Sequence, residues 1–460
     1  MHMPKLYVII GVLGALVLTS IAAYVILQPS GDLLTDASID AAQISPNADG
    51  VDDITTLHYT LTQPATVNVY FENPAGDRYY FRQDARRSTG TYSVLFSGVV
   101  DGYTLPNEEI PGDIERRLIP NGQYTWVITA TDDDGETVEQ SGALEIANAD
   151  VALPVMTIFE INPAVFTPNQ DGITDRVNVN VYLEKPAQLT VYLEDDAGLR
   201  YYMPEYEEGR EPGDMGLHVF DYDGGVDQNI EPPADGEYIV HAIAQDDEGQ
   251  RIARTGQLEL RDGGLPQTEI IAQTTGTTVL FEHRPYDTAY YSDQHTTGKL
   301  ITKPEGIASD LEAITLLQGD LLVFKLTVNN YGDTPIRTAG PFPGTVYDYD
   351  QVASAMGAYE ESGAFRIGIK CNSSLSDFPY RWALAPEDEL EAVYDPATDR
   401  TYYYMQPGQR AEVWGAIRMT RIIQAANPQD CWAGLIHEDV QVVTGQSVVG
   451  LREIEVVPRD

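Results

Sequence analysis

Basic residues are scarce in this 460-residue chain. Its 28 Lys and Arg stand against 71 Asp and Glu, a formal charge of −43. Such a surface repels phosphate backbones, which excludes nucleic acid as a partner class. It attracts divalent cations or cationic surfaces, although a generally acidic proteome gives the same balance. Only two cysteines and seven histidines are present, too few for a Cys/His metal cluster of the zinc-finger kind. There is no Gly-x-Ser-x-Gly elbow, no phosphate loop after a strand and no evident Cys–His pairing. Acidic pairs abound, but in a chain this acidic they arise by chance and imply no glycosidase. Sustained helical periodicity is missing beyond residue 30. The reading is therefore not an enzyme.

What is present is tyrosine, 28 of them, and frequent valine, both suited to half-buried pleated surfaces. The length predicts about three domains. One uncharged run, Leu6 to Leu27, would rise about 33 Å as a helix and cross a hydrocarbon core. Lys5 precedes it and Asp32, Asp36 and Asp40 follow, so the amino terminus is expected in the cytoplasm and the bulk outside. A cleaved signal peptide, with "SIA" at Ser20 to Ala22 as its site, and a pilin-type leader are the alternatives.

The nonamer "SPNADGVDD" (Ser45 to Asp53) returns as "TPNQDGITD" (Thr167 to Asp175), 122 positions later. The two stretches align without a gap for nearly forty residues, through "RYY" at Arg78 to Tyr80 and at Arg200 to Tyr202. After a variable middle, eight residues shorter in the second copy, Asn121 to Ile146 answers Asp235 to Leu260. Two copies of one domain follow. Alternating stretches such as "TVNVYFE" and "YIVHAIA", separated by "NPAG", "DDAG", "DDDG" and "DDEG" turns, read as strands of antiparallel sandwiches. The nonamer is expected to open the first strand of each.

The pattern Pro-Asn-x-Asp-Gly-x-x-Asp, then an apolar strand, an acidic Gly hairpin and a late Gly-x-Tyr strand, resembles the Ig-like domains of the flagellar hook-capping family. It covers about Ala42 to Arg261. The resemblance implies an Ig-like sandwich and a spacer or scaffold role. Farther on, "GDLLVFKLTVNNYGDTPI" (Gly319 to Ile336) and "PGQRAEVWGAIRM" (Pro407 to Met419) resemble strands of CARDB-type adhesion-related bacterial sandwiches. The fold class is thus all-β: an N-terminal transmembrane helix, then three tandem Ig-like β-sandwiches. The divisions are residues 1–30 for the stub and anchor, 31–150, 151–263, and 264–460 for the CARDB-like sandwich with a long insertion.

In an Ig-like sandwich the loop that opens strand A is expected beside the B–C and F–G hairpins. That pole would gather Asp49, Asp52, Asp53, Asp77 and Asp132 to Asp134 in the first copy. In the second it would gather Asp171, Asp175, Asp195, Asp196, Asp246 and Asp247. Hard oxygen ligands at a loop end suit Ca2+, which could stiffen the joint between copies. The structural alternative is that Asn and Asp close the turn on their own backbone. Cys371 and Cys431, an even pair in an exported domain, suggest one disulfide, with two separate buried thiols as the alternative. In "LIHEDVQVV" only His437 and Asp439 share a strand face, too few ligands for zinc. Trp382, Trp414, Trp432, Tyr380 and Phe378 read as packing, with an aromatic carbohydrate platform as the alternative.

The sequence therefore points to a single-pass cell-membrane protein whose C-terminal bulk is extracytoplasmic. Its expected role is structural or adhesive: a tandem Ig-like stalk presents a distal binding sandwich to a protein partner on the cell surface or in a membrane complex. A subunit of a surface filament or motility apparatus is the second reading. An enzyme site within the Gly340 to Tyr404 insertion is the third.

Overall fold

The computed structural model describes residues 32–206, 211–273, 276–286, 300–306, 313–396 and 398–459. The Leu6 to Leu27 segment lies outside the described residues, and among those described no helix is long and apolar enough to cross a membrane. The described chain is built of β-strands with four short 3-10 turns. Three large hydrophobic cores succeed one another along it, with a small satellite cluster in the last.

The first core lies between two sheets. One pairs Leu34–Ile39, Thr55–Leu61 and Gly90–Phe96; the other runs Gln43–Ile44, Thr137–Ile146, Gly122–Thr131, Ala65–Glu72 and Arg78–Arg87. Period-two alternation sets the faces: Thr55, Leu57, Tyr59 and Leu61 point inward along one strand. Phe71 and Phe96 stack across the gap with centroids 4.0 Å apart. The second core repeats this plan with Met156–Asn162, Val177–Leu183 and Gly216–Tyr222 facing Arg200–Tyr202, Gln188–Glu194, Gly236–Gln245 and Arg251–Leu260. The late strands form antiparallel hairpins in both copies, Thr131 opposite Thr137 and Gln245 opposite Arg251.

The expectation for the nonamer is corrected here. The nonamer does not open the first strand. Leu34–Ile39 and Met156–Asn162 precede it and pair with the strand that follows it, because each nonamer is a crossing between the two sheets. The variable middle of the first copy has a fold of its own. Val99–Asp101 and Asp113–Leu118 form a hairpin that joins the second copy's sheet, Ile252 opposite Ile114 and Ala253 opposite Asp113. Ile110 and Ile114 pack on the second core. One sheet thus crosses the module boundary.

The third core lies between a sheet carrying Thr268–Ile271, Leu280–Arg284, Leu321–Asn330, Arg410–Arg418 and Val346–Asp348, and a nine-stranded sheet. The stretch expected as an insertion supplies part of the latter: Phe365–Cys371 and Tyr380–Ala383 pair there. Trp382 is fully buried, set edge-on to Phe324 and Tyr347, and its indole N–H donates to the Thr345 carbonyl. Tyr380 and Phe378 are buried too, so no aromatic platform exists at those rings. Cys371 and Cys431 stand opposite on adjacent strands and are joined in a disulfide, Cα atoms 4.0 Å apart.

Candidate functional site

The repeated nonamer folds upon its own carboxylates. Asp53 accepts the backbone N–H of Asn47 and Ala48 on Oδ1 and that of Gly50 on Oδ2. These bonds, the Asn47 one foremost, hold its carboxyl below the usual range. Asn47 accepts from Asp49 N–H, and Asp49 from Val51 N–H. Asp175, Asn169 and Asp171 repeat the scheme on Gly172 and Ile173. Gly50 and Gly172 sit at φ +84° and +81°, a region that penalises a Cβ.

The acidic residues expected to converge do not. Gln43–Ile44 pairs in parallel with Glu145–Ile146, so Asp49, Asp52 and Asp53 lie at the pole where that strand ends, as does the Asp77 turn. The Asp132 to Asp134 hairpin closes the other pole, ten residues away along the strand, about 33 Å. The second copy splits likewise: Asp171, Asp175 and Asp195 lie at one pole, Asp246 and Asp247 at the other. Asp132 and Asp195 cap their own turns. Among the described residues no three His, Cys, Asp or Glu side chains are placed to hold one ion.

The pole carrying Asp246 does face the first copy, and the cation there is an amino-acid side chain. Lys185 Nζ lies 2.9 Å from Asp150, 2.8 Å from Asp246 and 2.9 Å from Glu248. Burial works against the ammonium, but the three carboxylates outweigh it and raise its pKa. Gln250, fully buried, donates to the Asp150 and Ala152 carbonyls and accepts from Leu118 N–H. Arg251 pairs with Glu115 at 2.7 Å. Gly112 is required where the clasping hairpin touches the second copy: a Cβ there would stand 2.5 Å from the Ala253 carbonyl oxygen.

The second nonamer is the socket of the next joint. Asp171 accepts the Tyr404 hydroxyl at 2.9 Å. His437 Nε2 donates to the Gln170 carbonyl at 2.8 Å, its ring stacked on Phe365. Backbones meet closely: a Cβ on Gly172 would come within 2.1 Å of Ser362 O, and one on Gly363 within 2.1 Å of Asp171 C. Thr334 donates to Asp262 O, at the end of the second module. Burial, then the nearby Asp175 charge, pushes the Asp171 carboxyl up to about 6. Burial lowers the His437 imidazole to about 4. A cavity of about 260 Å3 opens here between Asn169, Asp171, Asp262, Glu391 and Tyr404.

His437, Glu438 and Asp439 thus serve separate ends. Glu438 is buried between Arg366 and Arg381, and Asp439 sits in a turn at φ +61°. Sequence reasoning missed Lys185, Gln250, Tyr404 and both arginines. The one signal available was the eight-residue excess in the first copy's middle, the stretch that carries the clasping hairpin.

No family model matches the chain, and no curated protein matches it. Among solved structures it is similar to a Ca2+-stabilised adhesin with which an Antarctic bacterium reaches out and binds ice. That match has 12% identity and a TM-score of 0.23, covering 92% of this chain and 74% of that one. It is similar to a two-domain fibronectin type III segment of chicken tenascin, at 11% identity and TM-score 0.16, covering 50% and 99%. A tetra-tandem repeat from the extending region of a large adhesion protein matches at 11% identity and TM-score 0.15, covering 87% and 81%. At such scores the tandem-sandwich assignment rests on the sheets and cores above.

Proposed function

We propose that the chain is an extracytoplasmic spacer, tethered by its Leu6 to Leu27 segment, that holds the third sandwich at a fixed distance and orientation for contact with a partner. Turnover forms no part of this reading. The observation that carries it is the sheet shared across the first boundary, where Asp113–Leu118 of one module pairs with Arg251–Leu260 of the next. Linked beads swivel where few contacts cross a boundary. Here backbone pairing and the Lys185 carboxylate cluster cross the first boundary, and close glycine contacts cross the second. The disulfide supports an oxidising compartment. The acidic surface keeps a protein crowded at a cell surface soluble.

The test is a distance distribution between spin labels at Asp133 and Leu375, both exposed and in the first and third modules, in the full chain reconstituted in nanodiscs. A single narrow distribution is expected, and a broad one would show freely jointed modules. Protease accessibility on intact cells checks the location: cleavage confined to permeabilised cells would place the bulk inside and end the reading.

A further inference from the structure

The third module carries a cleft of about 590 Å3 between residues 352–360 and 376–381, in a region without counterpart in the repeated modules. Its floor holds two arginines, a residue type scarce in this acidic protein. Arg366 and Arg381 both pair with Glu438, whose side chain is only 3% exposed. Glu438 balances one of these two guanidinium groups, and the exposed Glu360 is the carboxylate left to the other.

The two arginines differ in what they still offer. Arg366, 1% exposed, has all three nitrogens engaged, with Ala339 O, Glu438 and Tyr359 O. Arg381 is fixed by Glu438, by Phe378 O at 3.0 Å and by Asp377 O at 3.5 Å. Its only other partner is Glu360 Oε1 at 3.3 Å, on a side chain 67% exposed. A guanidinium has five N–H donors, so these four bonds leave one over. An exposed ion pair of this kind contributes little. A ligand carboxylate meeting the guanidinium in a two-bond fork contributes more. The other rim acid, Asp377, is occupied by Lys370 at 2.6 Å. Ser354, Ser376 and the exposed ring of Tyr359 complete a polar lining with one aromatic face.

We infer that this cleft binds the carboxylate of a small polar ligand on Arg381, displacing Glu360, and that Glu438 is the positioning residue holding the guanidinium ready. The site stands independently of the spacer reading, because it needs only the third module's fold.

The experiment is calorimetric titration of the full chain in nanodiscs with two carboxylate sources, sodium glucuronate for a sugar acid and acetyl-dialanine for a peptide end. The neutral methyl ester and the amide are the matched controls. Binding by either acid, with its neutral form weaker by roughly tenfold or more, supports the site and identifies the source. Arg381→Gln should cost roughly tenfold in affinity. Glu360→Gln, a surface change that leaves the Glu438 pairs intact, should tighten binding several-fold. A structural role for Arg381 would not produce that gain. No heat from either acid, equal binding of the neutral forms, or unchanged affinity in Glu360→Gln would overturn the assignment.

Discussion

The Tyr404 hydroxyl donates to Asp171 Oδ2 over 2.9 Å, joining residues 233 positions apart and belonging to different sandwiches. In the first copy the equivalent Asp49 is exposed and Val51 beside it is 63% exposed. The same turn is therefore a solvated cap in one module and the buried socket of a joint in the next.

That socket contains two titrations of opposite sign. Asp171 rises from 3.8 to about 6, so its folded state favours the proton. Its contribution to stability is full below pH 3.8 and is lost as pH rises through 6. His437 falls from 6.5 to about 4, so its contribution is full above pH 6.5 and is lost as pH falls through 4. Each is worth about 3 kcal/mol at most, and the two cancel. Asp175, Arg337 and Tyr404 face Asp171, and Arg337 also faces His437. Asp171→Asn should make urea stability climb between pH 4 and 7 relative to the unaltered protein. His437→Gln should make it decline. Parallel curves for all three proteins would refute the pairing.

Lys185→Met leaves Asp150, Asp246 and Glu248 gathered without their cation. Removing one partner of a buried ion cluster costs about 3–5 kcal/mol, and acidification toward pH 4 should recover part of it. Chelation of divalent metal should leave the unaltered protein's melting temperature unchanged. A loss of several degrees on chelation would show that an added metal ion, and not the ammonium alone, stabilises the fold.

Glycine substitution separates turn strain from joint contact. Gly50→Ala and Gly172→Ala place Cβ at nearly the same φ, but only the second meets a neighbouring backbone, Ser362 O at 2.1 Å. Both should cost about 1–2 kcal/mol of left-handed strain. Only Gly172→Ala should also broaden the spin-label distance between Asp133 and Leu375. Equal broadening in the two variants would contradict the socket.

Removing the Cys371–Cys431 bridge, which spans 60 residues, should cost about 4 kcal/mol by the loop-entropy relation. The loss should appear as a lower melting temperature for the third module alone, since both cysteines belong to its core.

Strand period and turn chemistry were legible because each acts within a few residues. The alternation of "YIVHAIA" matches the inward Tyr238, Val240, Ala242 and Ala244. The Asn and Asp of the nonamer do close its turn, as the structural alternative anticipated. Lys185 in "LEKPAQ" looks like any surface lysine, because its three carboxylates come from positions 150, 246 and 248. The His437 partner is a main-chain carbonyl, which has no residue signature.

The sequence by itself determined an acidic, all-β chain with a duplicated unit, a late cysteine pair and turns that its own side chains complete. Periodicity, composition and short-range hydrogen bonding are properties of neighbouring residues, and they survive in a linear text. The tertiary structure alone decided which pole of each sandwich meets the next module. It also decided that a variable middle becomes a clasp, and that a lone lysine and two arginines hold the buried charge. Those outcomes depend on contacts between residues tens to hundreds of positions apart, whose desolvation and pairing exist only once the sheets have closed.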